Sequence, residues 1–402
     1  MVNVAVLGYG TVGSGVVEVI ERNNVEVSGK CGEEVHVKYI LDLREFPGDP
    51  YEDKVVHDFQ VILEDREVSV VCEVMGGIKF AYPYTKQLLE AGKSVCTSNK
   101  ELVAKHGAEL LDIAEKNHCS YLFEASVGGG IPIIRTINHA MTPERIEAVA
   151  GILNGTTNYI LTKMEQEGTD YAQALKQAQD LGYAERNPQA DVEGHDACRK
   201  TAILASLMTG RNVDSEKIFT EGITEITTAD FAFAKGANMT IKLLGTARLQ
   251  EDGSVLAMVA PHMIAENHSL AMVNGVFNGI FVTGNMLGDI MLYGHGAGKL
   301  PTASAVTADV VDCVRNQGKT LPCHWEQAEC RLADVLLTSK RFFVRVKAQG
   351  CGAIEEAFPG SERLEVPGME VKGYFTPVMT EKEFEEKYSA LSEFVLGRIR
   401  VM

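Results

Sequence analysis

Apolar runs of strand length alternate with amphipathic segments of helix length along the first 125 residues. Strands that alternate with helices in this way predict a parallel, doubly wound sheet, an α/β fold with helices on both faces. In such a sheet, ligands bind beyond the carboxyl ends of the strands. The predicted strands cover residues 4–7, 35–42, 68–74, 93–97 and 121–124. Three helices are predicted between them: one begins after residue 13, one covers residues 81–91, and one follows the fourth strand and ends at about residue 117.

A glycine-rich turn with the spacing G-x-G-x-x-G, formed by Gly8, Gly10 and Gly13, lies between the first predicted strand and helix. Gly8 permits a tight turn, Gly10 lets the backbone approach a pyrophosphate, and Gly13 lets the helix pack close to the strand. The N–H groups at the start of the helix, around Thr11 and Val12, face the anion. This context predicts a dinucleotide-binding site. The alternative is an ordinary glycine-rich turn between a strand and a helix.

Asp42 falls near the end of the second predicted strand, where an acidic residue would bind the ribose 2′-OH of NAD. Residues 29–34 before this strand are interpreted as an inserted loop that lengthens the spacing from the glycines. Arg44 lies two residues further on and would instead accept the 2′-phosphate of NADP. Both cofactors therefore stay open, as does the alternative that Asp42 only begins a turn.

Two more residues are expected at the same edge of the sheet, because each follows a predicted strand. Lys100 comes after the fourth strand, and the alternative for it is a solvated lysine at a helix start. Glu124 ends the fifth strand and opens a second glycine-rich turn over residues 124–132. The backbone carbonyl oxygens of this turn would hold a cation, or its backbone N–H groups would bind a ligand. The alternative is a flexible crossover between domains.

Beyond about residue 132 the pattern changes to an α+β type. Predicted strands over residues 255–261 and 279–282 indicate a mixed or antiparallel sheet. The third glycine-rich loop contains Gly296 and Gly298 and precedes a predicted helix, which suggests that the chain returns to the nucleotide domain; the alternative is a plain hinge. We therefore expect a dinucleotide-binding domain over residues 1–130 plus about 296–330, a substrate-binding domain over 131–295, and a small α+β tail over 340–402.

Polar clusters in the second domain suggest an amino-acid site. Residues 154–158 form a polar loop before a predicted helix, which suits a carboxylate ligand. Asp196 and Lys200 are spaced i, i+4 and share one helix face. If they face a pocket, Asp196 holds Lys200 charged, and Glu185 with Asp191 would receive a substrate ammonium. If they face solvent, the pair has no functional meaning.

Composition excludes several classes of partner. The chain has 402 residues, 45% of them hydrophobic, and a formal net charge of −17. That charge argues against nucleic acids and anionic membranes, which bind basic surfaces. No apolar run approaches the length of a spanning helix, and no secretory leader is expected, since residue 2 already enters the first strand. Nine scattered cysteines without C-x-x-C spacing are typical of reduced thiols in a cytoplasmic protein.

Taken together and in this order, the motifs resemble homoserine dehydrogenase along the chain up to about residue 330. The resemblance implies an NAD(P)-dependent enzyme that interconverts L-aspartate 4-semialdehyde and L-homoserine, in the biosynthesis of threonine, methionine and isoleucine. It also implies a homodimer or homotetramer that assembles through the sheet of the second domain. The chemistry suits the residues, because an ammonium beside the aldehyde oxygen stabilises its growing charge and supplies the proton.

The resemblance further implies a role for each candidate residue. Lys200 and Lys100 are the catalytic lysines, and Asp196 supports Lys200. Gly296 or Gly298 approaches the nicotinamide. The amino-acid site is lined by Glu185, Asp191 and Thr156; a site for Na⁺ or K⁺ is formed by Glu124 with the backbone around Val127, Gly129 and Ile131.

Two departures from the family pattern are visible. Leu41 is apolar where many members have a basic residue suited to a 2′-phosphate. The tail resembles a degenerate ACT regulatory domain, in which only residues 351–358 stand where a full helix is expected, and its effector-binding turn is not recognisable.

Two alternative functions are another reductase of amino-acid metabolism with the same nucleotide-binding fold, and a non-catalytic NAD(P)-binding sensor.

Overall fold

The computed structural model describes all 402 residues. The first unit is a six-stranded parallel sheet in the order β3-β2-β1-β4-β5-β6. This is the strand order of doubly wound dinucleotide-binding sheets, and it confirms the predicted fold class. The strands are β1 (Val2–Leu7), β2 (Val35–Leu41), β3 (Val55–Val56), β4 (Val68–Glu73), β5 (Ser94–Thr97) and β6 (Tyr121–Leu122); the helices are α1 (Thr11–Arg22), α2 (Asn24–Cys31), α3 (Phe59–Glu64), α4 (Ala81–Glu90) and α5 (Lys100–Lys116).

The second unit is a mixed sheet with helices packed against one face. Strands β7, β10 and β11 are neighbours in it, and the long helix α10 packs against all three. Its strands are β7 (Ile146–Ile152), β9 (Phe219–Thr220), β10 (Met239–Leu249), β11 (Val255–Ala265), β12 (Phe277–Gly284) and β13 (Gly288–His295); the helices are α6 (Ile133–Arg135), α7 (Gly155–Glu167), α8 (Tyr171–Asp180), α9 (Gln189–Val192), α10 (His195–Thr209), α11 (Thr228–Gly236) and α12 (Lys299–Arg315). Strand β8 (Arg211–Asn212) lies outside this sheet and pairs with the later strand Glu326–Glu329 in a separate two-stranded sheet.

Helix α12 leaves the second unit and returns to the first sheet. Ala303, Val306 and Val310 on this helix are fully buried in one cluster with Val4 and Val16. The contact with α1 is close: a Cβ at Gly15 would lie 3.0 Å from the Cβ of Ala303. Helix α12 therefore packs on the first sheet beside α1.

The last sixty residues form a βαββαβ unit. Its sheet order is β19-β15-β17-β16, which is the order 4-1-3-2 of split βαβ folds. Strand β19 also pairs in parallel with β11, so the tail extends the second sheet to eleven strands. The elements after α12 are β14 (Glu326–Glu329), β15 (Ser339–Val346), β16 (Glu362–Leu364), β17 (Lys372–Phe375), β18 (Met379–Thr380), β19 (Val395–Val401), α13 (Cys351–Ala357) and α14 (Glu381–Ala390).

Several local predictions were wrong. Residues 29–31 belong to helix α2, which buries Val27 and ends at Gly32 with a left-handed φ of +78°, so only the next few residues form a loop. The third glycine-rich loop, predicted over residues 293–298, is shorter, because Tyr293, Gly294 and His295 lie in strand β13. Helix α7 begins at Gly155, four residues earlier than predicted, since the Asn154 side chain accepts from the Thr157 N–H and caps it.

No helix combines the length and the apolar character that crossing a membrane would require. All nine cysteines are free.

Candidate active site

Two lysines from different units meet on one buried carboxylate. The Nζ of Lys100, at the start of α5, lies 2.7 Å from Oδ1 of Asp196. The Nζ of Lys200, one turn further along α10 than Asp196, lies 2.8 Å from Oδ2. Asp196 is 4% exposed and Lys200 7% exposed, whereas the Lys100 side chain is 41% exposed. The i, i+4 pair therefore faces the boundary between the two units and not bulk solvent.

Asn154 joins this cluster to the loop before α7. Its Nδ2 donates to Oδ1 of Asp191 at 2.7 Å and to Oδ2 of Asp196 at 2.8 Å. Beside it, the Leu153 carbonyl oxygen accepts from Lys200 Nζ at 2.7 Å. Asn154 was not predicted to be a site residue by itself. Its helix-capping position was the available signal, but capping alone does not reveal that the amide nitrogen reaches two carboxylates.

A buried chain of hydrogen bonds holds the start of α5, and sequence reasoning missed it entirely. Glu73 at the end of β4 is fully buried, and its carboxylate accepts from Thr97 Oγ1 at 2.7 Å. Thr97 Oγ1 in turn accepts from the Asn99 N–H, and Asn99 Nδ2 donates to the Gly77 carbonyl. Burial raises the pKa of Glu73. Because Asn99 also caps α5, this chain fixes the residue that precedes Lys100.

The charges in the cluster shift one another's titration. Burial would raise the pKa of Asp196, but the two lysines outweigh it and hold that pKa well below its usual range. Burial lowers the pKa of Lys200. Burial opposes the charged form of Lys100 as well, yet Asp196 raises its pKa. For Asp191, burial raises the pKa. Lys200 is therefore an ammonium that gives up its proton more readily than an ordinary lysine.

The predicted amino-acid residues are brought together only in part. Thr156 lies in the first turn of α7, and its Oγ1 donates to the Tyr183 carbonyl at 2.6 Å, so it contacts the segment that leads to Glu185. Asp191 lies beside Asn154, as described. The side chain of Glu185 is exposed and makes no hydrogen bond or ion pair with the protein; only its carbonyl is used, by Gln179. The structure therefore does not bring Glu185 into the Asp196 cluster.

The first glycine-rich turn is shaped to admit a pyrophosphate. Gly8 has a φ of +94°, and a Cβ at Gly13 would lie 1.9 Å from the Gly8 carbonyl oxygen, so neither position tolerates a side chain. A Cβ at Gly10, in contrast, would have no atom within 4 Å, which leaves open space at the start of α1. The first-turn N–H groups at Thr11 and Val12 face this space without an acidic side chain beside them. These residues fit a dinucleotide.

Asp42 and Arg44 are paired at the end of β2. Oδ2 of Asp42 accepts from the Tyr9 N–H at 2.8 Å and from Nη2 of Arg44 at 2.9 Å. The guanidinium beside it holds the pKa of Asp42 well below its usual range. Each residue thus satisfies the other while it lies next to the glycine turn, and the Arg44 side chain stays 62% exposed.

The second and third glycine-rich loops lie against each other. The Gly130 N–H donates to the His295 carbonyl at 3.0 Å, and a Cβ at Gly129 would lie 2.4 Å from the Gly296 carbonyl carbon. Gly298 has a φ of +120° and precedes α12. The two loops therefore pack against each other at the crossing, the region where the chain passes from one unit to the other.

Glu124 is anchored to the same crossing. It is 2% exposed, and its carboxylate accepts from the Ile134 N–H at 2.9 Å and the Arg135 N–H at 2.7 Å. Val127 and Ile131 are buried nearby. No group of three or more histidine, cysteine, aspartate or glutamate side chains forms a metal site in the chain. A cation here would therefore depend on backbone carbonyl oxygens.

Family models match both units. A model described as the NAD-binding domain of homoserine dehydrogenase matches residues 8–124, and one described as homoserine dehydrogenase matches residues 132–311. A curated homoserine dehydrogenase of Bacillus subtilis is 43% identical over 319 residues, which are 78% of this chain and 73% of the relative. The chain belongs to the homoserine dehydrogenase family. It is an NAD(P)-dependent oxidoreductase that acts on a CH–OH group, as the resemblance implied.

Further homoserine dehydrogenases agree with this placement. One of Corynebacterium glutamicum is 40% identical over 349 residues, 85% of this chain and 78% of the relative. A crystal structure of a homoserine dehydrogenase from Thiobacillus denitrificans superposes with a TM-score of 0.89 at 33% identity, over 100% of this chain and 98% of that one. A hyperthermophilic archaeal homoserine dehydrogenase mutant in complex with NADPH has a TM-score of 0.66 at 29% identity, over 78% and 97% of the respective chains.

Proposed function

We propose that this member of the homoserine dehydrogenase family interconverts L-aspartate 4-semialdehyde and L-homoserine, with Lys200 as the proton donor. The observation that carries the proposal is the single buried carboxylate of Asp196, which holds Lys100 from the nucleotide-binding unit and Lys200 from the second unit at 2.7 and 2.8 Å. Such an arrangement places two ammonium groups at the boundary where cofactor and substrate would meet.

The bound reduced nicotinamide would supply the hydride to the aldehyde carbon. The Lys200 ammonium then gives a proton to the alkoxide oxygen, and Asp196 keeps Lys200 oriented. Lys100 adds positive charge beside the same oxygen. In the reverse direction, neutral Lys200 takes the hydroxyl proton of homoserine. Closure of the boundary around the bound substrate would exclude water and strengthen these charge interactions.

The amino-acid end of the substrate has a separate set of partners. Asp191 and Glu185 would receive the substrate ammonium, and the N-terminus of α7 with the Thr156 hydroxyl would receive the carboxylate. Because the Glu185 side chain is exposed and unpartnered in the structure, it would have to turn toward the ligand on binding. Gly296 or Gly298 would approach the nicotinamide from the third loop.

We further propose four features of the whole protein. It works in the cytoplasm, and it forms a homodimer or homotetramer. Residues 1–130 plus about 296–330 bind the dinucleotide, residues 131–295 bind substrate and dimerise, and residues 340–402 are a degenerate ACT-like unit. Backbone carbonyl oxygens around Val127, Gly129 and Ile131, with Glu124, would hold Na⁺ or K⁺.

The test is homoserine-dependent reduction of NAD and NADP, followed by the absorbance of the reduced nicotinamide. We expect the wild-type protein to turn over and Lys200→Ala to lose kcat by about a hundredfold to ten-thousandfold, the usual contribution of a general acid. Binding of the cofactor, measured by calorimetry, should survive the substitution. The control is Lys105→Ala, which should retain activity. Lys105 lies on α5, five residues after Lys100, and is exposed. Activity that survives in Lys200→Ala would rule out Lys200 as the acid.

A further inference from the structure

The last strand of the tail is built into the sheet of the second unit. Strand β19 lies between β11 and β15, and Arg400 is the register partner of His262 on β11. Arg398 and Arg400 are two residues apart on this strand, so their side chains point to the same face of the sheet. The tail thus presents two guanidinium groups to the second unit.

Both guanidinium groups converge on Glu221. Nη1 of Arg400 donates to Oε2 of Glu221 at 2.9 Å, and Nη1 of Arg398 donates to the same oxygen at 2.8 Å. Arg400 is fully buried, also pairs with Glu381 of α14, and lies 4.7 Å above the ring of Phe219. An arginine without exposure needs these partners, since an uncompensated buried charge is strongly unfavourable. Glu221 is therefore held firmly by the tail.

The backbone on either side of Glu221 docks onto residues 192–194. The Ile223 N–H donates to the Val192 carbonyl at 2.8 Å. A Cβ at Gly222 would lie 2.1 Å from the same carbonyl oxygen, so the two segments touch without room for a side chain. Gly194 also lies next to Glu221, since a Cβ at Gly194 would be 3.5 Å from the Glu221 carbonyl oxygen.

Residues 192–194 connect the two carboxylates of the active site. Asp191 immediately precedes this segment, and Asp196 lies in the first turn of α10, two residues after it. A shift of the segment would therefore move both carboxylates relative to Asn154 and the two lysines. Neither lysine forms a hydrogen bond or ion pair with a residue of the tail; their partners are Asp196 and the Leu153 carbonyl.

We propose that Glu221, clamped by Arg398 and Arg400, is a positioning residue that holds Asp191 and Asp196 in place through residues 192–194. The tail strand is then part of the support of the active site. The inference rests on the proposed function, because it concerns the geometry around Lys200.

Loss of the Glu221 charge has a specific expected signature. The charged groups that face Lys200 are Asp196, Lys100 and Asp191. When Asp196 moves away, Lys200 loses the contact that favours its ammonium form, so its pKa falls further. The basic limb of the pH profile for aldehyde reduction should then move to lower pH. A purely structural ion pair would change thermal stability without this movement.

The experiment compares Glu221→Gln with Glu385→Gln in the full chain. Glu385 on α14 lies 2.9 Å from Nε of Arg398, so the control removes a partner of the same arginine within the tail. We expect Glu221→Gln to lower kcat by about tenfold to a hundredfold, the order seen when a catalytic group is misplaced by about 1 Å. Its basic limb should shift to lower pH, and Glu221→Asp should recover part of both effects. Glu385→Gln should leave kcat and the pH profile unchanged.

A second variant covers the case in which Glu221→Gln does not fold. Arg398→Met removes one guanidinium and leaves the buried pair of Arg400 with Glu221, and it should show a smaller change in the same direction. Equal effects of Glu221→Gln and Glu385→Gln, or a normal kcat and pH profile in both Glu221→Gln and Arg398→Met, would overturn the inference. If wild type is active, Lys200→Ala is inactive and these variants are normal, the proposed function stands and only the inference falls. An inactive wild type overturns both.

Discussion

Asp196 accepts from three donors at once: the two lysine ammonium groups and the Asn154 amide. A carboxylate that is 4% exposed remains charged only because these donors replace the water that it has lost. The same contacts restrain Lys200, whose pKa burial already lowers. The residue that orients the acid therefore also opposes its loss of a proton, and the balance sets the working pH.

The first prediction concerns that pH dependence. Reduction of the aldehyde needs protonated Lys200, so kcat in that direction should fall as pH rises through the lowered pKa of Lys200. Oxidation of homoserine needs neutral Lys200 and should rise over the same range. Asp196→Asn removes the charge that favours the ammonium, so both limbs should move to lower pH. Rate profiles in both directions measure this, and a shift to higher pH in Asp196→Asn would contradict the mechanism.

The second prediction concerns the choice of cofactor. The Asp42 carboxylate lies beside the glycine turn and accepts hydrogen bonds from the Tyr9 N–H and from the Arg44 guanidinium. Asp42→Asn keeps an oxygen for the Tyr9 N–H, removes a charge that repels a 2′-phosphate, and frees the guanidinium. The ratio of kcat/KM for NADP to that for NAD should rise by about tenfold, equivalent to about 1.4 kcal/mol. Arg44→Ala should lower the same ratio. An unchanged ratio in both variants would show that neither residue meets the ribose.

At the scale of elements, the second and third glycine-rich loops contact each other closely at the crossing of the units. Gly129 has a φ of +57°, and a Cβ there would meet the backbone of Gly296 at 2.4 Å. Backbone cannot give way as a flexible side chain can. The two loops must therefore separate to accept any larger residue at this position.

The third prediction follows from that contact. Gly129→Ala should lower the free energy of unfolding by about 1–3 kcal/mol, the usual range for overpacking, and raise KM for the cofactor. Gly29→Ala is the matched control, because its Cβ would have no atom within 4 Å and it lies inside helix α2. Chemical denaturation and cofactor titration provide the readouts. Equal stability of the two variants would show that the loops are not rigidly packed.

Prediction from sequence succeeded where the feature depends on the residue pattern within a short stretch of chain. The parallel sheet, the glycine turn and the i, i+4 pair of Asp196 with Lys200 all follow from local periodicity. Helix α2 was missed, because Gly29 and a weak apolar face hide its period. Glu73 and Asn154 were missed for a different reason: their importance arises from partners brought close by folding. The exposed side chain of Glu185 likewise reflects packing around residues 181–190 that spacing does not encode.

At the scale of the whole molecule, part of the second sheet has an apolar outward face. Phe281 on β12 pairs with Ala150 on β7 and with Met291 on β13. Phe281 and Met291 are only partly buried, although they pack against the small cluster around Leu270. An apolar sheet face of this kind is typical of subunit interfaces.

The fourth prediction tests that face. Phe281→Asp should shift the assembly toward monomers, because it places an unpaired charge in the proposed contact. Light scattering coupled to size-exclusion chromatography would measure the mass over a range of concentrations. Leu337→Glu, at a residue that is 67% exposed elsewhere, is the control and should keep the wild-type mass. A wild-type mass for Phe281→Asp would show that this face is not a subunit interface.

The return of helix α12 to the first sheet has a consequence for the order of folding. The apolar faces of β1 and α1 are covered by a helix that is synthesised only after the entire second unit. Contacts so distant in sequence raise the contact order and slow the search for the native state. Until Arg315 has been added, the nascent chain displays Val16 and its neighbours to the solvent. A fragment that ends before α12 should therefore aggregate, and chaperones should bind the growing chain during this interval.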